Sequence, residues 1–293
     1  MSETPRVSAI VPSLDRPDWL ARSLAALAAA RPAFLEVVVA DQSPGGEACA
    51  LCARHGARHL ALTARGLSRA RNAALAEVRG EWVAFPDDDA TVAPDFVTAF
   101  AAALALAPRA AFVCGHVTYP GGRTMQPGMD GRARALVSIE DVLRTAVSPG
   151  LVVRRDALAR VGGFDERLGV GAEYPSGEES DLLIRLLQSG ESGVYAPALH
   201  VGHPDPFAIR DDAGTLRRMQ SYGRGWGALF AKHSRGPDGA RFAALQRRYE
   251  RRAWLGAVAH ALRLDLRRAR EYRAAQLGRR AGWRDWLVRE DRA

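Results

Sequence analysis

Three consecutive aspartates, Asp87–Asp89, follow an apolar segment that ends at Phe85. Adjacent carboxylates repel one another, and burying them without a partner is unfavourable. Carboxylate oxygens are the ligands that Mg²⁺ and Mn²⁺ prefer, and these ions often also bind substrate phosphates. The triplet therefore indicates a divalent-metal site, with Asp87 and Asp89 facing the same side because side chains alternate along an extended chain. The alternative is a solvated acidic segment before the helix that Pro94 introduces.

A second acidic cluster, in the segment "GEESD", contains Glu178, Glu179 and Asp181. A carboxylate at this position is suited to act as a general base. The same residues are also typical of a helix N-terminus, where acidic side chains cap the first turn and interact favourably with the helix dipole. The residues alone leave both interpretations open.

The first 110 residues alternate apolar strands with helical segments, which predicts an α/β fold with a mostly parallel sheet covered on both faces. The predicted strands are "VSAIVPS" (7–13), "FLEVVVAD" (34–41), "HLALT" (59–63) and "EWVAFPD" (81–87). Ligands of such sheets bind outside the carboxyl ends of the strands. Asp41 and the aspartate triplet both stand at such ends, so we expect them at the functional edge.

The second half of the chain is less regular. Strands are predicted in "AAFVCGHVTYP", near residue 152 and in "VYAPALHVGHP", and helices from about Glu179 and over 212–233. In the segment "SYGRGWGALFAKH", Tyr222, Arg224 and Trp226 stand among glycines. These side chains suit stacking on a sugar, whereas the glycines equally suit close helix packing. An arginine-rich helical region follows, and we predict domains at 1–235 and 236–293.

The 293-residue chain has the composition of a globular protein, with 47% hydrophobic and 25% charged residues. Its formal net charge of +8 comes from the last 58 residues, which hold 15 arginines and 7 acidic residues. No apolar window is long enough to span a bilayer and no signal peptide is evident, so we expect a cytoplasmic protein. Three cysteines do not suggest a disulfide framework, and we expect packed, reduced thiols.

The order of several motifs resembles glycosyltransferase family two. The motifs are "VSAIVPSLDRP", "VVVADQSP", "GLSRARNAAL", "FPDDDA", "GGFDERLG" and "GEESDLLIRLLQSG", and the resemblance covers about residues 6–232. It implies the Rossmann-like GT-A fold, here with a C-terminal helical extension. It also implies an inverting, hexosyltransferase-like enzyme that depends on Mn²⁺ or Mg²⁺.

The resemblance also implies roles for individual residues. Nucleotide contacts fall to Val11, Pro12, Asp41, Arg71, Asn72, Asp87 and Asp88. Asp87 and Asp89 match the D-x-D metal motif, and His203 matches a late histidine that helps to ligate the metal. Glu179 matches the catalytic base, where the family usually has aspartate, and Glu178 and Asp181 are the alternatives.

The implied partners are a nucleotide-diphosphate sugar donor and a glycan or lipid-linked acceptor, in surface polysaccharide biosynthesis. The basic C-terminal segment either lies on the inner face of a membrane, with Trp254, Trp283 and Trp286 at headgroup level, or packs on protein. No motif supports nucleic-acid binding. The competing functions are a sugar nucleotidyltransferase, whose glycine-rich basic loop the chain lacks near residue 12, and a non-catalytic nucleotide-sugar-binding module.

Overall fold

The computed structural model describes residues 4–205 and 211–292. The strands are β1 (Val7–Ser13), β2 (Glu36–Asp41), β3 (Arg58–Ala61), β4 (Trp82–Ala84), β5 (Thr91–Val92), β6 (Phe112–Thr118), β7 (Arg134–Leu136), β8 (Leu151–Arg154) and β9 (Gly193–Gly202). The helices are α1 (Pro17–Ala29), α2 (Glu47–His55), α3 (Leu67–Leu75), α4 (Phe96–Leu106), α5 (Ile139–Thr145), α6 (Arg155–Arg160), α7 (Glu178–Gln188), α8 (Asp212–His233), α9 (Gly239–Leu262) and α10 (Leu266–Glu290).

The strands described for these residues form one mixed sheet in the order β3-β2-β1-β4-β8-β6-β9-β5, with β7 also paired to β9. Strands β3, β2, β1 and β4 are parallel, as the alternating pattern predicts. Strand β8 runs antiparallel between β4 and β6, and β5 and β7 are antiparallel to β9. All seven residues of β1 are buried, since this apolar strand lies between two others under helices. The predicted α/β class is confirmed.

The chain divides into two compact units. The first, residues 1–165 and 179–205, contains the sheet, and the second, residues 166–178 and 206–293, contains α8, α9 and α10. The predicted domain boundary at residue 235 falls between α8 and α9, inside the second unit. The division into domains at 1–235 and 236–293 stays a prediction.

In the second unit, α8 and α10 pack closely through glycines on both helices. A Cβ atom added to Gly227 of α8 would lie 2.1 Å from the carbonyl oxygen of Arg279. One added to Gly282 of α10 would lie 1.9 Å from that of Arg224. Trp226 stacks on Tyr249 of α9, with ring centroids 6.1 Å apart. Of the two interpretations of this segment, the structure shows the helix packing.

Two further features bear on the sequence predictions. The three cysteines are free; Cys52 and Cys114 are buried as packed thiols, as predicted, whereas Cys49 is exposed and the prediction of a packed thiol is wrong there. Among residues 4–205 and 211–292, no helix combines the length and the apolar character needed to cross a membrane.

Candidate active site

The aspartate triplet lies in the turn between β4 and β5, and His203 follows β9 directly. Strand β5 pairs antiparallel with β9, with Thr91 opposite Gly202, so the turn containing Asp89 is brought beside His203. The Nε2 atom of His203 lies 3.1 Å from Oδ1 of Asp89 and 3.9 Å from Oδ2 of Asp87.

Asp87, Asp89 and His203 form a group that could hold a metal ion. One ligand atom from each lies within 4.8 Å of the others, and this is the candidate group found in the described part of the chain. The Nδ1 atom of His203 lies 2.7 Å from the carbonyl oxygen of Pro204, which can only accept a hydrogen bond. Nδ1 therefore carries a proton, and Nε2 is the nitrogen that faces the carboxylates and could ligate a metal in place of its hydrogen bond to Asp89. Two oxygens and one imidazole nitrogen suit a divalent ion such as Mn²⁺.

The surroundings of Asp88 and Asp89 shift the pKa values of these two aspartates in opposite directions. Burial opposes ionisation of Asp89, but hydrogen bonds from His203 and Arg16 outweigh it and lower the pKa of Asp89 to about 2. Burial likewise opposes charging of His203, but Asp89 raises the pKa of this histidine above its usual value. Burial raises the pKa of Asp88 to about 7, because the charge of Arg16 only partly offsets it.

Arg16, which the sequence interpretation missed, binds two carboxylates of the triplet. Its guanidinium contacts Oδ1 of Asp88 at 2.7 Å and Oδ2 of Asp89 at 2.6 Å. The hydroxyl of Ser13 donates to Asp88 at 3.3 Å. Asp88 is therefore buried and held by the last residue of β1 and by Arg16 beyond it, whereas Asp87 and Asp89 face His203. The position of Arg16 just beyond a predicted strand end was the signal available in the sequence.

Arg71 is fully buried on α3 and donates to Oδ1 of Asp87 at 2.9 Å. Its guanidinium lies against the rings of Phe85 and Phe164, 6.0 and 5.3 Å from their centroids. A buried arginine that is stacked and paired in this way fixes the carboxylate it contacts. Arg71 thus positions Asp87, the residue that the family comparison assigned to the nucleotide.

The side chain of Asn72 binds the turn "GGF" (162–164). Its Nδ2 donates to the carbonyl oxygen of Phe164 and its Oδ1 accepts from the N–H of Phe164, both at 2.9 Å. Gly163 in this turn has a φ of 71°, and a Cβ there would lie 2.8 Å from Oδ1 of Asn72. Both polar atoms of the Asn72 side chain thus bind the backbone of Phe164. The nucleotide contact of Asn72 stays a prediction.

Asp41 is buried at the end of β2 and organises the loop that follows. Its Oδ1 accepts from the N–H of Ser43 at 2.9 Å, and its Oδ2 lies 2.9 Å from Nε2 of His59. The hydroxyl of Ser43 in turn accepts from the N–H of Asp15, which joins this loop to the loop after β1. Pro12 is buried in β1, opposite Ala40 of β2. The nucleobase contact predicted for Asp41 remains a prediction.

The residues of the second acidic cluster have distinct environments at the start of α7. Glu179 is half-buried, whereas Glu178 and Asp181 are buried. Asp181 pairs with Nε of Arg185 at 2.8 Å, and Arg185 donates to the carbonyl oxygens of Val161 and Gly163. Asp181 therefore stabilises the "GGF" turn. Burial raises the pKa of the Cys114 thiol, and the charge of Glu179 adds to this effect, so Glu179 lies within electrostatic reach of β6.

The mixed sheet flanked by helices, with the acidic side chains beside His203, is the arrangement predicted for a GT-A enzyme. Residues 8–162 match Glycosyl transferase family 2, and the chain belongs to this family. It is therefore a glycosyltransferase, which confirms the class that the motifs predicted.

One relative and two solved structures illustrate the similarity. The chain is 28% identical over 230 residues to "Succinoglycan biosynthesis protein ExoM" of Rhizobium meliloti (strain 1021), covering 73% of this chain and 71% of that protein. The mannosyltransferase PcManGT from Pyrobaculum calidifontis, in complex with GDP-Man and Mn²⁺, has a TM-score of 0.68 at 19% identity, covering 95% of this chain and 88% of that one.

TarS of S. aureus has a TM-score of 0.60 at 16% identity, and the match covers 81% of this chain. The match spans only 41% of the TarS chain. At these identities the two structures show a shared fold, which confirms the predicted GT-A architecture.

Proposed function

We propose that this glycosyltransferase uses a divalent metal ion to transfer a sugar, with inversion, from a nucleotide-diphosphate sugar to a glycan or lipid-linked acceptor. The observation that carries the proposal is the group Asp87, Asp89 and His203, whose ligand atoms lie within 4.8 Å of one another. The Mn²⁺ in the PcManGT complex, which shares the fold, supports it.

Asp87, Asp89 and His203 would hold the ion, and its charge would stabilise the diphosphate leaving group. Arg71 and Arg16 keep the carboxylates in place through contacts of 2.6 to 2.9 Å. These contacts hold the carboxylates in one fixed arrangement, and fixed polar groups need little reorganisation to stabilise charge. Either Mn²⁺ or Mg²⁺ fits the proposal, although the imidazole nitrogen favours Mn²⁺.

Glu179 is the proposed base, since among the three candidates it is the one that is not buried. Its carboxylate would accept the proton of the acceptor hydroxyl while the oxygen attacks the anomeric carbon. Attack on the face opposite to the leaving group inverts the configuration. Asp181 is engaged with Arg185, which argues for a structural role.

The class of donor and acceptor is supported by the relatives' names. A TarS structure in complex with UDP-GlcNAc has a TM-score of 0.57, which supports a nucleotide-sugar donor. The relative ExoM is named for succinoglycan biosynthesis, which supports a polysaccharide pathway. We place the enzyme in the cytoplasm, in peripheral contact with the inner face of the membrane.

A panel of nucleotide sugars tests the proposal by thermal stabilisation with and without Mn²⁺. We expect at least one donor to raise the melting temperature only when the ion is present. Transfer from that donor, followed by NMR of the product's anomeric proton, should show the inverted configuration. Stabilisation that is equal in a metal chelator, or a product with retained configuration, would overturn the metal or the stereochemical part of the proposal.

A further inference from the structure

The turn between α9 and α10 exposes an unusual amount of apolar surface. Seven of the twelve large hydrophobic side chains that are exposed in the described chain lie between residues 254 and 277. They are Trp254, Leu255, Val258, Leu262, Leu264, Leu266 and Leu277. Leu262 and Leu264 are 81% and 85% exposed. Single exposed leucines are ordinary, but a concentration of exposed apolar side chains in one segment indicates an interaction surface.

The exposed side chains are arranged as a stripe that continues over the turn. Trp254, Leu255, Val258 and Leu262 follow helical spacing on one side of α9, over about 12 Å of helix. Leu264 and Leu266 extend the stripe across the turn into α10. The inner side of α9 packs closely on α10. A Cβ atom added to Gly256 would lie 2.6 Å from the ring of Tyr272 on α10.

The turn itself is a built structure rather than a loose connection. Asp265 accepts a hydrogen bond from the N–H of Arg268 at 3.1 Å and so caps α10. The Nδ1 atom of His260 lies 3.1 Å from the same carboxylate, and the His260 ring stacks on Tyr272. Leu264 adopts a φ of 61°, a conformation that favours glycine or asparagine. The fold therefore presents a leucine to the outside at a position where a leucine is strained.

The same segment is strongly basic. Residues 251–277 contain seven arginines and two acidic residues, Asp265 and Glu271. Both acids are engaged, Asp265 with His260 and Glu271 with Arg267 at 3.4 Å. The surface thus offers exposed leucines and a tryptophan beside uncompensated positive charge.

We propose that this turn, with the outer face of α9, docks on a bilayer that contains anionic lipids. The leucines enter the boundary between headgroups and acyl chains, Trp254 lies at headgroup level, and the arginines contact lipid phosphates. A second copy of the chain fits less well, because it would bring one arginine-rich surface against another. The inference specifies the membrane contact of the proposed function, but it needs neither a donor nor an acceptor.

Co-sedimentation of the full chain with vesicles tests the proposal. We expect binding to phosphatidylglycerol-containing vesicles, weaker binding to phosphatidylcholine vesicles, and release by salt. The variant Leu262→Gln/Leu264→Gln/Leu266→Gln should bind about tenfold less tightly or worse, because three apolar contacts are lost. Glutamine keeps helix propensity close to that of leucine, and the circular dichroism spectrum checks that the variant is folded.

Two matched variants separate the contributions of apolar contact and charge. Leu106→Gln/Val137→Thr changes exposed apolar residues of the first unit and should leave vesicle binding unchanged. Arg263→Gln/Arg268→Gln/Arg270→Gln should abolish the preference for anionic vesicles. The proposal is overturned if the wild-type chain does not bind vesicles or if the leucine variant binds equally well. It is also overturned if these leucines instead mediate self-association in analytical ultracentrifugation. Sugar transfer in detergent-free solution is measured separately. A failure to bind vesicles would therefore not contradict the proposed transfer reaction.

Discussion

The Nε2 atom of His203 lies 3.1 Å from Oδ1 of Asp89, although the two residues are far apart in the sequence. The two-residue strand β5 creates this proximity by pairing with the end of β9. Asp89 and His203 therefore meet only when the sheet is assembled. The proposed metal site can therefore be tested by substitutions in either of the two segments, at the aspartates or at His203.

Replacing Asp89 with asparagine should abolish metal-stimulated donor binding. The substitution removes an anionic oxygen from the group of three ligand atoms while keeping the size of the side chain. We expect the apparent Mn²⁺ affinity to fall by at least about 100-fold, since even changes to groups behind metal ligands cost 10–100-fold. Isothermal titration of Mn²⁺ with donor present measures the change. Asp95→Asn, an exposed acid just beyond the triplet, is the control, and unchanged Mn²⁺ dependence in Asp89→Asn would remove Asp89 from the ligand set.

Replacing Glu179 with glutamine should leave donor binding intact while the transfer rate collapses. A glutamine cannot accept the proton of the acceptor hydroxyl, and loss of a general base costs roughly 10²–10⁴-fold in rate. Steady-state kinetics should show the loss in kcat with donor KM nearly unchanged. Asp181→Asn is the informative comparison, because its pairing with Arg185 predicts lost stability instead. A near-normal rate in Glu179→Gln would exclude Glu179 as the base.

The sequence was sufficient for the parts of the fold that rest on periodicity. Strand β1 and helix α8 have the predicted bounds, and the parallel strands β1 to β4 follow the alternating apolar pattern. Strands β5 and β7 and helix α5 went unpredicted. Two or three residues in a strand carry no measurable period, and β5 and β7 are strands only because β9 lies beside them.

The candidate site likewise has residues that the sequence predicts and partners that it does not. The carboxylates were evident because Asp87–Asp89 are adjacent in the sequence and follow an apolar strand. Their partner Arg16 was not, because its contacts with Asp88 and Asp89 depend on β1 and β4 being neighbours in the sheet. The pairing of Asp41 with His59 was missed for a similar reason. Motif order predicts which residues gather at an edge of a sheet, whereas their partners depend on tertiary packing.

Gly163→Ala should destabilise the protein more than the adjacent Gly162→Ala. Both glycines have φ values near +70°, so alanine is strained at either position. Only at Gly163 would the new Cβ also lie 2.8 Å from Oδ1 of Asn72, whereas nothing lies within 4 Å at Gly162. We expect Gly162→Ala to cost about 1 kcal/mol and Gly163→Ala about 2–3 kcal/mol in urea unfolding. Equal losses would show that the hydrogen bonds between Asn72 and Phe164 tolerate displacement.

Glu36 should make stability depend on pH in the acid range. Burial opposes its ionisation, but hydrogen bonds from the N–H of Arg79 (2.6 Å) and the hydroxyl of Ser8 (2.8 Å) outweigh it and lower its pKa. The unfolded state binds the proton more readily, so this contribution is present above the ordinary glutamate pKa and is lost as pH falls through the lowered value.

Glu36→Gln should accordingly cost about 1 kcal/mol at pH 7, and the difference from wild type should disappear in acid. Urea unfolding at a series of pH values measures both. Glu77→Gln is the control, because Glu77 is exposed and pairs with Arg58 at the surface, where ion pairs contribute little. A pH-independent penalty in Glu36→Gln would assign the effect to packing instead of charge.

Gly282→Ala should weaken the packing of α10 on α8 in the second unit. The added Cβ would lie 1.9 Å from the carbonyl oxygen of Arg224 and 3.0 Å from the backbone N of Ala228, and backbone atoms cannot move aside as a side chain can. The gain of about 1 kcal/mol in helix propensity is therefore outweighed by overpacking of about 1–3 kcal/mol or more. Gly236→Ala, where the nearest atom is 3.6 Å away, is the matched control. Thermal unfolding followed by circular dichroism should show a lower midpoint for Gly282→Ala alone.

Because the proposed base and metal ligands lie in the first unit, a variant that still folds at the assay temperature should keep its Mn²⁺ affinity. Loss of that affinity in folded Gly282→Ala would contradict this expectation.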